Sequence, residues 1–268
     1  MSTTESSELD LQTVFRALVE GRQPIGPVAL IVAHPGDDVV GVGGQLERWR
    51  RGLVCVHVTD GAQARPAEAR DALERVGISA DQIRSLDFTD QQLVFALSDL
   101  DRALEHALAE IRPAVVITHA FEGGHPDHDA LALVLASVLG RRRARHVHTP
   151  VLVEFAGYWQ NESGSLVTNR FGPPSNGGER QLRMSTPIRR QKNDLLGCFR
   201  MPQHLPQAFD TREEWIRPAP AYDFRARPNV GRVWYDQFDW PVRSDHWIHL
   251  ATTYLDGESR QEPIGVVC

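Results

Sequence analysis

The sequence predicts an α/β fold in which helices cover both faces of a mostly parallel sheet. Continuous apolar runs that favour strands alternate with segments of helical polarity from residue 28 to residue 155. The runs contain few interspersed polar residues, as is typical of strands that are buried on both faces. Polar loops begin at His34, Thr59 and His119, each directly after such a run. Ligands bind at the carboxyl ends of parallel strands, so we expect these loops to converge on one crevice.

The alternation can be followed element by element. The predicted strands are residues 28–33, 53–58, 86–88, 114–118 and 151–155, and the predicted helices are residues 45–51, 66–76, 97–111, 130–139 and 186–199. The helix at 97–111 has the most regular pattern, because its leucines recur at three-to-four spacing. Residues 157–179 are rich in glycine, proline, serine and asparagine, which indicates a loop. Residues 202–220 are predicted to be irregular, and residues 247–252 to form a late strand.

The length favours a single domain with insertions, because 268 residues lie within the range of one α/β unit. We predict that this domain spans residues 25–268, with a loop or lid excursion at about residues 157–184. Residues 1–24 are predicted to be a partly disordered lead-in. Residues 1–11 are acidic and rich in hydroxyl groups, without the basic start and apolar stretch of a secretory signal.

Composition argues against several classes of protein. Thirty-five acidic and 29 basic residues give a net charge of -6 with no basic half, so nucleic acid is not an expected partner. The apolar runs are shorter than the ~20 residues that cross a bilayer, so no membrane span is expected. The three cysteines are scattered, which argues against disulfides and fits a cytoplasmic protein. Lys192 is the only lysine, which we interpret as GC-rich codon usage in a bacterium.

Two segments concentrate histidine and carboxylate side chains directly after predicted strands. The first, HPGDD, begins at His34 and is followed by a glycine cluster; the second, EGGHPDH, ends at His128. Imidazole and carboxylate groups suit a divalent metal, and three protein ligands with an open position are typical of catalytic zinc. His34, Asp37 and His128 are the predicted ligands. Alternatively each histidine caps a helix, but two such segments at one sheet edge favour the metal.

These motifs resemble those of the LmbE-like zinc N-deacetylases, the superfamily that includes N-acetylglucosaminyl-phosphatidylinositol (GlcNAc-PI) de-N-acetylase, abbreviated PIG-L. The resemblance covers residues 28–139 and implies a Rossmann-like sheet and a zinc ion on the three predicted ligands. It implies that His125 is the catalytic histidine and that Asp127 orients an imidazole. It further implies that Arg65 and Asp90 bind the sugar hydroxyls or the remote part of the substrate, although a helix cap and a turn residue explain them nearly as well.

The chain departs from the family pattern at one position of the first motif. The family has a general-base aspartate after His-Pro, where this chain has Gly36, and Asp38 stands where the family has glutamate. A general base contributes about 10²- to 10⁴-fold in rate, while a metal also lowers the pKa of water without one. Asp38 and Glu122 are the candidate substitute carboxylates, and Glu122 is also a candidate substrate-binding residue.

The predicted function is therefore a zinc-dependent hydrolase that removes an acyl group from an N-acyl amino sugar or a related amide. Three alternatives stay open: an impaired homologue that binds a metal and a glycoside, an amidase of a thiol-sugar conjugate, and a tailoring deacetylase of natural-product biosynthesis. Another divalent transition metal and a homo-oligomer also stay open. Eight aromatic residues of the last quarter are candidates for stacking on a sugar or a lipid-like aglycone, although we expect most to pack in the core: Trp215, Tyr222, Phe224, Trp234, Tyr235, Phe238, Trp240 and Trp247.

Overall fold

The computed structural model describes residues 4–24, 26–61, 65–173, 177–199, 212–229 and 233–259. Its strands are β1 (Val28–Val32), β2 (Leu53–Thr59), β3 (Ile83–Phe88), β4 (Val115–His119), β5 (Val151–Phe155), β6 (Tyr158–Gln160), β7 (Leu166–Thr168), β8 (Arg180–Gln181) and β9 (Trp215–Pro218). Its α-helices are α1 (Thr4–Val19), α2 (Asp37–Val42), α3 (Leu46–Trp49), α4 (Arg65–Arg75), α5 (Leu97–Ile111), α6 (Pro126–Ala144), α7 (Thr186–Leu196) and α8 (Ser244–Ser259). Short 3₁₀ helices occupy Ala80–Gln82, Leu93–Ala96 and Trp234–Gln237.

The central sheet has seven strands in the order β3-β2-β1-β4-β5-β9-β8. The first five of these strands pair in parallel, and β9 and β8 add an antiparallel edge. Strands β1 and β4 are neighbours, although β2 and β3 lie between them in the chain. The strand order thus reverses beside β1, and an open α/β sheet binds its ligands at the carboxyl ends of the strands at such a switch point.

Helices bury both faces of the sheet, which confirms the predicted fold class. The side chains of β1 alternate, so that Ala29 and Ile31 pack with α5, α6 and α8, whereas Val28 and Leu30 pack with α1 to α4 and α7. Each of these four side chains is completely buried. This burial on both sides explains why β1 is a continuous apolar run rather than an alternating one.

The described structure differs from the sequence prediction in several elements, and one of them is the β6–β7 hairpin within residues 157–179, which were predicted to be a loop. Residues 1–24, predicted to be a partly disordered lead-in, include helix α1, whose Val14 and Leu18 are buried against the sheet. The late strand predicted at 247–252 is wrong, because that segment lies within helix α8 and buries Trp247 and Ala251 four residues apart. Strand β9 lies in a segment predicted to be irregular. Among the described residues, no helix combines the length and apolarity needed to cross a membrane.

Candidate metal centre

The first motif forms the turn between β1 and α2. The strand ends at Val32 and the helix begins at Asp37, which places His34 and Asp37 at the carboxyl end of a central strand. Gly36 has a φ of 103°, a left-handed conformation that residues with a Cβ rarely adopt. This turn brings Asp37 back onto His34, whose backbone N–H donates to Asp37 Oδ2 at 2.8 Å.

The second motif forms the beginning of α6. His125 precedes the helix, and its Nδ1 accepts the backbone N–H of Asp127 at 3.1 Å. Pro126 is suited to the first helical position because it has no N–H that would lack a helical partner. His128 lies one residue further into the first turn than Asp127, and its Nε2 lies 3.3 Å from Nδ1 of His34. The two motifs therefore meet across neighbouring strands of the sheet.

The three predicted metal ligands converge on one point. Asp37 Oδ2 lies 3.0 Å from His34 Nδ1 and 3.2 Å from His128 Nε2, and these nitrogens are 3.3 Å apart. Ligand atoms at about 2.0 Å from a tetrahedral zinc ion are separated by about 3.3 Å. The side chains are 5%, 15% and 9% exposed for His34, Asp37 and His128, so the donors are largely shielded from water. Two nitrogens and one oxygen at this spacing fit a zinc ion.

The electrostatics of His34 also favour a cation at this point. Burial disfavours a charged ring, but the carboxylates of Asp37, Asp127 and Asp90 outweigh burial and raise the pKa of His34 well above its ordinary value. Burial likewise opposes ionisation of Asp37, yet His128 and His34 hold the pKa of this carboxyl well below its usual range. Three carboxylates around one imidazole favour a positive charge at this point, which either the protonated ring or a bound divalent ion supplies.

Further groups, each made of one or two triad residues and neighbouring side chains, also have ligand atoms within 4.8 Å of one another. These groups are His34 with His125 and His128; His34 with Asp90, His125 and Asp127; and Asp37 with His119 and His128. The cluster is therefore larger than the predicted triad. His125 and Asp90 border the triad, so that a molecule bound at an ion would also contact these two side chains.

His119 is a member of the cluster that the sequence analysis did not assign. Its ring stacks on that of His128 with centroids 3.8 Å apart, and its Nε2 lies 3.4 Å from Asp37 Oδ2. This nitrogen accepts the backbone N–H of Ala33 at 3.0 Å, and burial lowers the pKa of His119 to about 3. The ring is thus neutral, and its Nε2 lone pair is already used, so His119 supports the ligands by packing. The sequence feature that could have indicated this role is the position of His119 at the carboxyl end of β4.

Asp127 fixes His34 rather than His125. Its Oδ2 lies 3.2 Å from His34 Nε2 and accepts the backbone N–H of Gln91 at 2.6 Å, while its Oδ1 accepts the N–H of Leu93 at 3.1 Å. A carboxylate on the far nitrogen of a ligating histidine sets the tautomer and orientation of the ring. Asp127 thus contacts the Nε2 side of His34, opposite the nitrogen that faces the triad, and links this side of the ring to the loop after β3.

Two of the predicted substrate-binding residues, Asp90 and Arg65, lie outside the motifs, and the structure describes the side chain of Asp90 alone. Asp90 Oδ1 lies 3.0 Å from His34 Nε2 and 4.0 Å from His125 Nε2, and the side chain is 32% exposed. It is thus the most exposed side chain of the cluster and stands at the opening of the site. Arg65 begins helix α4, but its side chain lies outside the described residues.

The two candidate substitute carboxylates, Asp38 and Glu122, form hydrogen bonds with residues other than the predicted ligands. Asp38 is completely buried, and its Oδ2 lies 2.9 Å from His57 Nε2 while its Oδ1 accepts the N–H of Val39 at 2.8 Å. Glu122 Oε2 accepts the N–H of Gly157 at 2.9 Å, and burial raises the pKa of this carboxyl to about 8. Neither belongs to a metal-binding group among the described residues. The structure brings neither of them to the predicted ligands.

The position that holds the general base in the family is closed by an aromatic ring. A Cβ on Gly36 would lie 2.9 Å from Cε1 of Phe199, which follows helix α7. Real Cβ atoms essentially never approach so closely, and the φ of 103° adds backbone strain. A side chain at position 36 would therefore strain the backbone and displace the Phe199 ring, which occupies the space that it would fill.

Fold and site together define a Rossmann-like α/β protein with a histidine and aspartate cluster at the switch point of its sheet. Residues 29–139 match the model of the GlcNAc-PI de-N-acetylase family, PIG-L. This segment contains both motifs, from β1 through most of α6. The resemblance predicted from the motifs is thereby confirmed for this part of the chain.

Solved structures support the same fold. The conserved protein TT1542 from Thermus thermophilus is 20% identical, with a TM-score of 0.50 over 65% of this chain and 78% of its own. N,N'-diacetylchitobiose deacetylase from Pyrococcus horikoshii is 17% identical, with a TM-score of 0.50 over 74% and 79%. The zinc-inhibited form of teicoplanin deacetylase Orf2 is 14% identical, with a TM-score of 0.51 over 72% and 97%. No curated protein matches the sequence.

Proposed function

We propose that this protein is a metal-dependent hydrolase that removes the acyl group from an N-acyl amino sugar. The observation that carries the proposal is the triangle of donor atoms on His34, Asp37 and His128, with sides of 3.0, 3.2 and 3.3 Å. The triangle lies within the segment that matches a de-N-acetylase family, and two of the structures that share the fold are deacetylases by name. Zinc is the proposed ion because the donors are two imidazoles and one carboxylate.

In this proposal His34, Asp37 and His128 would hold the ion. When bound, such an ion polarises the amide carbonyl and activates water for attack. Nδ1 of His34 faces the other two donors, so its ring proton resides on Nε2, beside the carboxylates of Asp127 and Asp90. This proton assignment leaves a lone pair on Nδ1, as a metal ligand requires.

His125 is the proposed proton donor. Its Nε2 lies 4.0 Å from Asp90 Oδ1, so this nitrogen faces the most exposed carboxylate of the cluster. Hydrolysis adds water to the amide carbon, breaks the C–N bond and yields a carboxylate and an amine. As the protonated imidazolium, His125 gives its Nε2 proton to the departing nitrogen and becomes neutral, and the partly exposed carboxylate of Asp90 accepts the proton that water releases.

One observation favours a second candidate, a homologue that binds a metal and a glycoside but turns over slowly or not at all. Gly36 provides no carboxylate, and Phe199 leaves no room for one. An assay of amide hydrolysis separates the two candidates directly. Thiol-sugar amides and natural-product glycosides are the substrates to add to this assay, because both remain open within the same class.

The experiment measures the release of acetate from N-acetylglucosamine derivatives by zinc-loaded protein. We expect Asp37→Ala to lose both the bound metal and the activity, and His125→Ala to keep the metal and lose turnover. His106→Ala is the matched control, because this histidine of α5 is 76% exposed and ion-paired only to Glu110 in the structure. Equal metal content in wild type and Asp37→Ala would contradict the proposal, and so would full activity in His125→Ala.

A further inference from the structure

Three half-buried aromatic rings between the second motif and helix α8 form a row that begins beside His125. Trp240 lies against His125, with ring centroids 4.7 Å apart. Phe238 follows at 5.1 Å from Trp240, and Trp234 at 5.7 Å from Phe238. We refer to Trp234, Phe238 and Trp240 as the aromatic shelf. Other aromatic residues of the same region, such as Tyr235 and Trp247, are buried in the core and are not part of it.

Hydrogen bonds to two other elements anchor the segment that carries the shelf. The backbone N–H of Trp234 donates to the carbonyl of Gly123, in the loop that carries the second motif, at 2.8 Å. At the other end, Asp236 Oδ1 accepts the N–H of Ser244 at 2.7 Å, at the first residue of helix α8. These bonds join the shelf to the loop before His125 and to α8. A surface fixed in this way binds a ligand without first having to be ordered.

The shelf offers ring surface but few free polar groups. Both carboxylate oxygens of Asp236 bond Ser244, and Gln237 Nε2 donates to the carbonyl of Trp234 at 3.2 Å. The exceptions are Asp239, which is exposed, and the buried Nε1–H of Trp234, which has no hydrogen-bond partner among the described residues. The planes of successive rings differ by 30° and 75°, so they form an uneven apolar wall rather than one flat platform for a sugar ring. Such a wall favours burial of an alkyl or aryl group.

We infer that the aromatic shelf is a subsite for an apolar alkyl or aryl aglycone on the amine-bearing side of the substrate. The assignment to that side rests on the proposed function, in which His125 protonates the departing amine. Because Trp240 contacts this histidine, the part of the substrate that carries the amine lies next to the shelf. The substrate class is thus an N-acyl amino sugar with a lipophilic aglycone, rather than a free or purely oligomeric sugar.

Two paired measurements test the subsite. The first is calorimetric binding of methyl and hexyl β-glucoside, which have no amide, to the zinc-loaded protein. The second is the kcat/KM for hydrolysis of methyl and hexyl N-acetyl-β-glucosaminide. We expect wild type to prefer the hexyl compound at least about tenfold in both, because each methylene buried contributes favourably. Phe238→Ala should reduce that preference about tenfold, mainly through Kd and KM.

Phe95→Ala is the matched control, because Phe95 is also partly exposed and pairs with His246 away from the site. It should retain the full preference for the hexyl group. Equal binding of the two glucosides, or an unchanged preference in Phe238→Ala, would overturn the inference even if hydrolysis occurs. Tighter binding of N,N'-diacetylchitobiose than of the hexyl compound would assign the shelf to a second sugar and also overturn it. A hexyl preference in binding without any hydrolysis would retain the shelf and refute the proposed function.

Discussion

Substitution of Gly36 tests the reason why this chain has no side chain at the position of the family's general base. The residue has a φ of 103°, and a Cβ added there would lie 2.9, 3.1 and 3.3 Å from three carbons of the Phe199 ring. Backbone strain of this kind costs about 1–3 kcal/mol, and overpacking against a ring costs about 1–3 kcal/mol. We therefore expect Gly36→Ala to lower the free energy of unfolding by about 2–6 kcal/mol.

A double-mutant cycle separates the two contributions. In Phe199→Ala the ring is absent, so Gly36→Ala should then cost only the backbone part, about 1–3 kcal/mol. Urea unfolding of wild type, both single variants and the double variant measures the coupling, expected at about 1–3 kcal/mol because it equals the overpacking contribution. The reasoning is refuted if Gly36→Ala is as stable as wild type or if the two substitutions are additive. Gly36→Asp should likewise raise hydrolysis only when combined with Phe199→Ala.

Three further predictions follow from buried polar groups. Burial raises the pKa of Glu122 from 4.5 to about 8, so the protonated carboxyl stabilises the folded state at low pH and this stabilisation is lost as pH rises from 4.5 to about 8. Glu122→Gln should therefore raise the Tm, relative to wild type, at pH 8 but not at pH 4. Lys192 and Glu214 form a completely buried ion pair at 2.8 Å. Lys192→Met should lower the free energy of unfolding in urea by about 3–5 kcal/mol, because it leaves a buried charge without its partner, and Lys192→Met/Glu214→Gln should lower it by less. Asp127→Asn should weaken zinc binding about 10- to 100-fold in a chelator competition, and an unchanged affinity would show that the carboxylate does not position His34.

The regular elements and the meeting of the two motifs could be predicted from the sequence. Helix α5 has the predicted bounds, because its leucines mark one buried face without interruption. The sequence predicts that His34 and His128 lie close together, because each motif follows an apolar strand and buried parallel strands belong to one sheet. The structure places β1 and β4 side by side, which brings these histidines within 3.3 Å.

The parts that could not be predicted depend on contacts between distant segments. The four-residue strand β9 is defined by its pairing with β5 and β8 rather than by its own pattern. Helix α8 has a run of apolar and aromatic residues that resembles a strand, and its helical period becomes visible only when the buried positions are known. Nothing in the HPGDD motif indicates that Phe199 covers Gly36, because that ring comes from the end of α7.

The central claim is that His34, Asp37 and His128 bind one divalent ion. X-ray absorption at the zinc edge of stoichiometrically loaded protein tests it most directly. The account predicts one zinc per chain with two imidazole ligands, oxygen ligands at about 2.0 Å, and loss of one imidazole in His128→Ala. A spectrum without imidazole scattering, or one that is identical in wild type and His128→Ala, would contradict it.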